Sequence, residues 1–257
     1  MTDSKLKIDI RRQKIVEALR RDGKISVAEI SRVLGTSPVT IRSDLTALEQ
    51  DGCLIRVQGG AVPVTRSKGR SNVCNAANVE EKKAIAAAMV EMLQDGDTLF
   101  MNSGTTTELV ASALSQRVNL NVVTNSLSVA TILGEIPSFR VILLGGEVNA
   151  QYGFTYGSDT LSQLGKYKAD WAILSVDGVS DSCGITTRHA EEAVIDRMMM
   201  SNARRIWIVA DHTKIGRAGF ARVRDTLDGL GVVTDCCDAA ETEALEARGM
   251  TVIIAKS

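Results

Sequence analysis

Two amphipathic segments joined by nothing more than Gly35-Thr36 constrain this chain more than any other feature. Val27 to Leu34 carries Ile30, Val33 and Leu34 on one side, with Ser26 as a candidate N-cap and Gly35 as a stop. Ser37-Pro38 then reads as an N-cap followed by proline at the first helical position. Ile41, Leu45 and Leu48 recur at i, i+4 and i+7, so a helix is predicted from about Pro38 to Gln50. Upstream, Ile10, Ile15, Val16 and Leu19 keep helical spacing until Asp22-Gly23. Three short helices with so tight a second turn describe a helix-turn-helix unit.

With its apolar stripe packed inward, the third helix leaves Thr40, Arg42, Ser43 and Thr46 on the other side, with Ser37 at its start. Those are positions from which a recognition helix reaches base edges and phosphates in the major groove. Cys53 to Gly60 alternates into a short β-ribbon, a wing, on which Arg56 and Gln58 face solvent and can touch backbone phosphates. Residues 1–72 hold 14 Lys and Arg against 8 Asp and Glu, whereas 73–257 hold 16 against 23. Basic faces are often merely solvated, but this asymmetry and the tight turn together favour a polyanion, double-stranded DNA, as the partner of the N-terminal end.

Other classes are disfavoured. No run approaches the roughly 20 apolar residues of a membrane span and the N-terminus opens no apolar signal region, so a cytoplasmic protein is expected. Five scattered cysteines without a C-x-x-C pair do not describe a disulfide framework. Two histidines, His189 and His212, leave too few ligands for a tetrahedral metal site, and no cofactor is called for.

Residues 8–63 are expected to form the DNA-binding domain, 64–79 a linker without periodicity, and 80–257 a larger domain. In that larger domain short apolar runs (Thr98–Met101, Val122–Val123, Val141–Leu144, Trp171–Val176, Ile206–Ala210, Val252–Ile254) alternate with helical segments. The expected fold class is therefore α/β: a winged helix-turn-helix followed by a doubly wound, mainly parallel sheet, whose ligands bind beyond the carboxyl ends of the strands. One such end, Asn102-Ser103-Gly104-Thr105-Thr106-Thr107, feeds a helix and offers backbone amides and hydroxyls to an anion such as phosphate. Ser103 or Thr105 could equally be a plain cap. Asn125, Asp177, Gly178, Asp211 and Lys214 follow other strands; each alone could be a turn residue, but parallel strands would bring them to one rim.

The strings Val27-Ala28-Glu29-Ile30, Thr36-Ser37-Pro38-Val39-Thr40-Ile41-Arg42-Ser43-Asp44-Leu45 and Arg56-Val57-Gln58-Gly59-Gly60-Ala61 resemble the DeoR family of bacterial sugar-metabolism repressors. That family's third helix typically reads Thr-Ile-Arg-Arg-Asp-Leu, and Ser43 stands where the second arginine is usual. The resemblance continues through Asp97–Thr107, Thr124-Asn125-Ser126, Leu144-Gly145-Gly146, Val176-Asp177-Gly178, Gly184-Ile185-Thr186-Thr187, Glu192-Ala193 and Asp211 with Lys214. It implies a sensor domain similar in fold to ribose-5-phosphate isomerase, with a phosphate near Ser103–Thr107 and a sugar near Asp177, Asp211 and Lys214.

The expectation is a non-enzymatic transcriptional repressor of a carbohydrate operon, a dimer or tetramer, localised to the nucleoid when bound to its operator and controlled by a phosphorylated sugar. The alternative is a sugar-phosphate isomerase with a DNA-binding appendage, for which Asp177, Glu147 and Asp211 are formal base candidates.

Overall fold

Ile15 and Leu19, four residues apart, lie buried on the first helix, α1, seen at residues 11–12, 14–16, 18–19 and 21–22 of the computed structural model. The structure describes residues 11–12, 14–16, 18–19, 21–50, 54–62 and 78–256. Ile10, the Asp51–Cys53 approach to the wing and residues 64–77 of the expected linker lie outside them. The chain divides into two units, residues 1–77 and 78–257.

In the first unit α1 is followed by β1 (Ile25–Ser26), α2 (Val27–Leu34), α3 (Pro38–Gln50), β2 (Ile55–Val57) and β3 (Gly60–Val62). Ser26 accepts the Glu29 amide and starts α2, as its residue type suggests. Ile30, Ile41, Leu45 and Leu48 join Ile15 and Leu19 in one core with Leu34 packed against it, whereas Val33, expected on the same side of α2, is 72% exposed because the helix turns it away from that core. The wing is antiparallel, in the order β1-β3-β2, and Ile25-Ser26 acts as its third strand as well as the cap of α2.

The second unit opens with α4 (Val79–Glu91) and then alternates: β4 (Thr98–Met101), α5 (Thr105–Ala113), β5 (Asn121–Thr124), α6 (Leu127–Gly134), β6 (Arg140–Leu143). A hairpin, β7 (Glu147–Asn149) and β8 (Phe154–Tyr156), precedes α7 (Ser158–Leu164) and β9 (Ala169–Leu174). Then come β10 (Gly178–Ser180), β11 (Gly184–Thr187), α8 (Ala190–Asn202), β12 (Ala203–Val209), β13 (Ala221–Arg224), β14 (Leu230–Thr234), α9 (Ala239–Ala247) and β15 (Thr251–Ile254). Seven strands form one parallel sheet in the order β15-β14-β12-β9-β4-β5-β6. β10, β11 and β13 form a small antiparallel sheet of their own.

The strand order explains the two helical layers. From β4 the chain steps outward through β5 to β6, then restarts at β9 on the other side of β4 and steps away through β12 and β14. Right-handed crossovers made in opposite directions put their helices on opposite faces. α5 and α6 cover one face, joined by α4, and α8 covers the other. Phe100, Ala172, Leu174, Ile208 and Val232, all on central strands, are buried between them. The order reverses between β4 and β9, which makes their carboxyl ends the topological switch point where open α/β sheets bind ligands. No helix among the described residues is long and apolar enough to cross a membrane.

Candidate functional site

On α3 the buried face is Ile41, Asp44, Leu45 and Leu48, and Arg42 and Ser43 are exposed opposite it. Ser37 caps the helix: its hydroxyl accepts the Thr40 amide at 3.2 Å and lies 2.9 Å from the Thr40 hydroxyl. The Thr46 hydroxyl donates to the Arg42 carbonyl at 2.9 Å and accepts from Arg56 Nη1 at 2.6 Å. The Arg56 amide reaches Glu49 Oε1 at 2.9 Å, so the wing is tied to the end of α3. Gln58 sits exposed at the tip of the wing. Ser37, Thr40, Thr46 and Arg56 therefore hold the recognition surface in shape, while Arg42 and Ser43 make no side-chain bond to another described residue.

Asp44 is a functional residue that sequence reading missed. Only 2% exposed, it accepts Arg11 Nε at 2.5 Å, Arg11 Nη2 at 3.2 Å and Arg12 Nε at 3.1 Å. The two arginines of α1 thus clamp α3 in place, and the Asp44 hydrogen bond raises the Arg11 pKa. The signal was present, because a carboxylate three residues after Ile41 and one before Leu45 falls on the buried stripe and requires a cationic partner.

In the sensor unit the switch point is built by reciprocal bonds between the loops after β4 and β9. Asn102 Nδ2 donates to the Ser175 carbonyl, and the Ser175 amide donates to Asn102 Oδ1, both at 2.9 Å. Gly104 follows at φ 149°, and a Cβ there would stand 2.7 Å from Ser175 Cβ, so backbone conformation and close approach both require glycine. Gly104 gives α5 no side-chain cap. Ser103 does not cap it either; its hydroxyl goes to Glu192 Oε1 at 2.7 Å, and the Thr107 hydroxyl donates to the Gly104 carbonyl at 2.9 Å. The first-turn amides of α5 therefore keep their positive end facing the rim. Thr106 and Thr107 are buried; Gly104 and Thr105 are half-exposed.

A continuous chain of contacts runs from this turn to Lys214. Glu192 Oε2 accepts Thr187 Oγ1 at 3.3 Å, the same hydroxyl lies 3.2 Å from Asp177 Oδ2, and Asp177 Oδ1 stands 3.7 Å from Lys214 Nζ. The Arg188 amide donates to Asp177 Oδ2 at 2.8 Å. Burial pushes the Asp177 carboxyl up, but Lys214 and Arg188 outweigh it and hold the group below the usual carboxylate range. Burial, with added repulsion from Asp177, pushes Glu192 up to about 7 despite the Ser103 bond. Behind it, burial first and then Glu192 push Asp196 well above that range, and its Oδ1 accepts Asn102 Nδ2 at 3.0 Å.

The third group on the rim follows β12. Asp211, 2% exposed, accepts the Thr213 amide at 3.0 Å, the Thr213 hydroxyl, and Asn78 Nδ2 at 3.3 Å, and its Oδ2 lies 3.5 Å from Lys82 Nζ. Burial works against the Asp211 charge, yet the Thr213 hydroxyl, Lys82 and Lys214 keep its pKa low. Burial also lowers the Lys82 pKa, with Asp211 pulling it back up. Asn125, 1% exposed after β5, donates Nδ2 to the Thr155 carbonyl at 3.0 Å, and its Oδ1 has no partner among the described residues. Gly178 is a packing residue of β10: a Cβ there would stand 2.4 Å from the Arg217 carbonyl oxygen. Tyr152 of the β7–β8 turn lies against His189, ring centroids 4.4 Å apart.

Lys82 and Asp196 were not read as site residues, Asn102 only as the first residue of the turn after β4, and Glu192 only as part of the family resemblance. Lys82 stands in the run Glu80-Glu81-Lys82-Lys83, which looks like a solvated helix end. Nothing in the sequence marks Glu192 or Asp196 as buried.

Residues 11–67 match the family model of the DeoR-like helix-turn-helix domain, and residues 77–236 match that of the DeoR C terminal sensor domain. The chain belongs to the DeoR family. As a DeoR-family protein it is a DNA-binding transcriptional regulator with a sensor domain, and the two sites above lie one in each matched region. It is 35% identical over 204 residues to the glycerol-3-phosphate regulon repressor of Escherichia coli (strain K12), covering 79% of this chain and 81% of that protein. It is 32% identical over 240 residues to the lactose phosphotransferase system repressor of Streptococcus mutans, covering 91% and 95%. Among solved structures, ribose 5-phosphate isomerase A from Methanocaldococcus jannaschii matches 54% of this chain and 55% of its own at 15% identity and a TM-score of 0.41, a distant likeness.

Proposed function

We propose that this DeoR-family regulator represses a carbohydrate-utilisation operon and that a phosphorylated sugar bound at the β4/β9 switch point controls its affinity for the operator. The carrying observation is the uncapped amino end of α5, linked by Glu192, Thr187 and Asp177 to Lys214. Amides of Thr105 to Thr107, flanked by the Ser103 hydroxyl, suit a phosphate. Asp177, Asp211 and the unpartnered Oδ1 of Asn125 suit sugar hydroxyls, and Lys214 adds positive charge. On the DNA side Arg42, Ser43 and Gln58 are the groups free to touch the duplex, with Ser37, Thr40, Thr46 and Arg56 holding them in position. Relatives that match 79% and 91% of the chain are named repressors, which favours a regulator over an isomerase.

Control follows from linkage: a ligand that binds two arrangements of the protein unequally changes their populations, and a coupling of about 1–3 kcal/mol suffices for a switch. Asn78, near the end of the expected linker and the first residue of the second unit, bonds to Asp211, so a ligand that engages Asp211 acts on the chain where the linker arrives. Residues 8–63 read DNA and 80–257 sense the ligand. Pairing of protomers, as dimer or tetramer, supplies affinity for a repeated site, in the cytoplasm and on the nucleoid.

The test is thermal denaturation against a panel of sugar phosphates and their unphosphorylated parents, on the unaltered protein and on Lys214→Ala. One phosphorylated compound should raise the melting temperature of the unaltered protein, be recovered unchanged, and shift its affinity for DNA. A ligand effect that survives Lys214→Ala in full, or binding of the unphosphorylated parent alone, overturns the assignment.

A further inference from the structure

Along α3, Val39, Arg42, Ser43 and Thr46 follow i, i+3, i+4 and i+7, which places them on one face at helical spacing. Ile41, Leu45 and Leu48 occupy the opposite face and are buried. Val39 is the second residue of the helix and 73% exposed, an aliphatic side chain held out to solvent beside Arg42 and Ser43. Its backbone is fixed by the cap: Ser37 receives the Thr40 amide, and the Ser37 carbonyl receives the Ile41 amide at 3.0 Å. The neighbouring hydroxyls of Ser37 and Thr40 are turned to each other, 2.9 Å apart. The amino-terminal turn of a recognition helix is the part that meets base edges. The apolar group displayed in the major groove is the 5-methyl of thymine, which aliphatic side chains contact.

We propose that Val39 is a specificity-determining residue, which selects thymine at one position of each half-site by packing against its methyl group. The inference rests on the DNA-reading assignment of α3 and adds which base is read, and by what contact. Arg42 remains the hydrogen-bonding or phosphate-binding group, and Val39 contributes the apolar part of the readout. Because Val39 lies outside the core, its replacement leaves the packing of α3 intact.

The experiment starts from selection of DNA sites out of a random pool by the full chain. Binding is then measured with each thymine of the half-site replaced in turn by uracil, which removes the methyl and keeps every hydrogen-bonding group. One replacement per half-site should weaken binding about fourfold, the effect of losing one buried methyl-sized group. Val39→Ala, with its melting temperature checked, should bind thymine sites about as weakly as the unaltered protein binds the uracil site, and should no longer distinguish the two bases. Val39→Thr keeps the shape and a methyl group and should retain part of the discrimination. Uracil tolerated at every position, or full methyl discrimination kept by Val39→Ala, overturns the role of Val39 and leaves DNA binding standing. A pool that yields no enriched sequence overturns the DNA-reading assignment itself, and this inference with it.

Discussion

Lys82 Nζ and Asp211 Oδ2 stand 3.5 Å apart, with side chains 8% and 2% exposed, and join the first helix of the sensor unit to the end of β12. Each charge is removed from water, so each depends on the other more than a surface pair would. Lys82→Met should therefore cost about 3 kcal/mol in denaturant unfolding, as should Asp211→Asn. The double variant should recover a large part of that loss, since no uncompensated charge remains. Strict additivity of the two single losses would mean that the pair is not coupled in solution.

Glu192 supplies a pH dependence whose sign is fixed. Its carboxyl is raised from 4.5 to about 7, so between those values the folded chain holds a proton that the unfolded chain has released. Its contribution is thus complete below pH 4.5 and disappears as pH rises to about 7. Glu192→Gln should flatten this segment and raise the melting temperature more at pH 8 than at pH 5. Equal shifts at both values would mean that Glu192 titrates normally.

Gly104→Ala should lower stability by about 1–3 kcal/mol, because φ 149° is foreign to alanine and the new Cβ meets Ser175. It should also abolish the melting-temperature response to a phosphorylated ligand. Adding Ser175→Gly removes the contact but not the backbone strain, so rescue should be partial. Unchanged stability of Gly104→Ala by calorimetry would contradict the close approach of the two loops.

Arg42→Ala should weaken binding to DNA of any sequence, and by about 1–3 kcal/mol more at the selected site if the guanidinium reaches a base edge. Fluorescence anisotropy at several salt concentrations separates the two cases, since loss of a phosphate contact lowers the salt slope by about one. Unaltered affinity removes Arg42 from the interface.

The helices and six of the seven strands of the parallel sheet were legible because their signals are local, whereas the short antiparallel strands β7, β8, β10, β11 and β13 were not read. Ser26 and Ser37 cap at the positions their residue types suggest, and the Ile41-Leu45-Leu48 stripe is buried as its spacing requires. β14 was less legible: Leu-Gly-Val-Val-Thr is short, and Gly231 is there because the Trp207 ring fills the place of a side chain. At the sensor site, the loops after parallel strands could be expected to share a rim, since the topology alone requires it. The buried partners could not. Lys82 reads as a solvated lysine until Asp211 covers it, and Glu192 as an ordinary helix-start carboxylate until Ser103 and Thr187 enclose it. Those contacts join residues distant in sequence, and no periodicity encodes them.

The central position of β4 bears on the order in which the protein is made. β4 is the first sheet strand to leave the ribosome, its partner β5 follows at once, and its other neighbour β9 emerges only after α7. Until then one side of β4 has no strand beside it, and the switch-point loop lacks Ser175 to receive Asn102. The helix-turn-helix, whose described core and ion pairs all lie within residues 11–62, can complete itself long before that moment. During synthesis the part that binds DNA is thus competent first, and responsiveness to a ligand is acquired last.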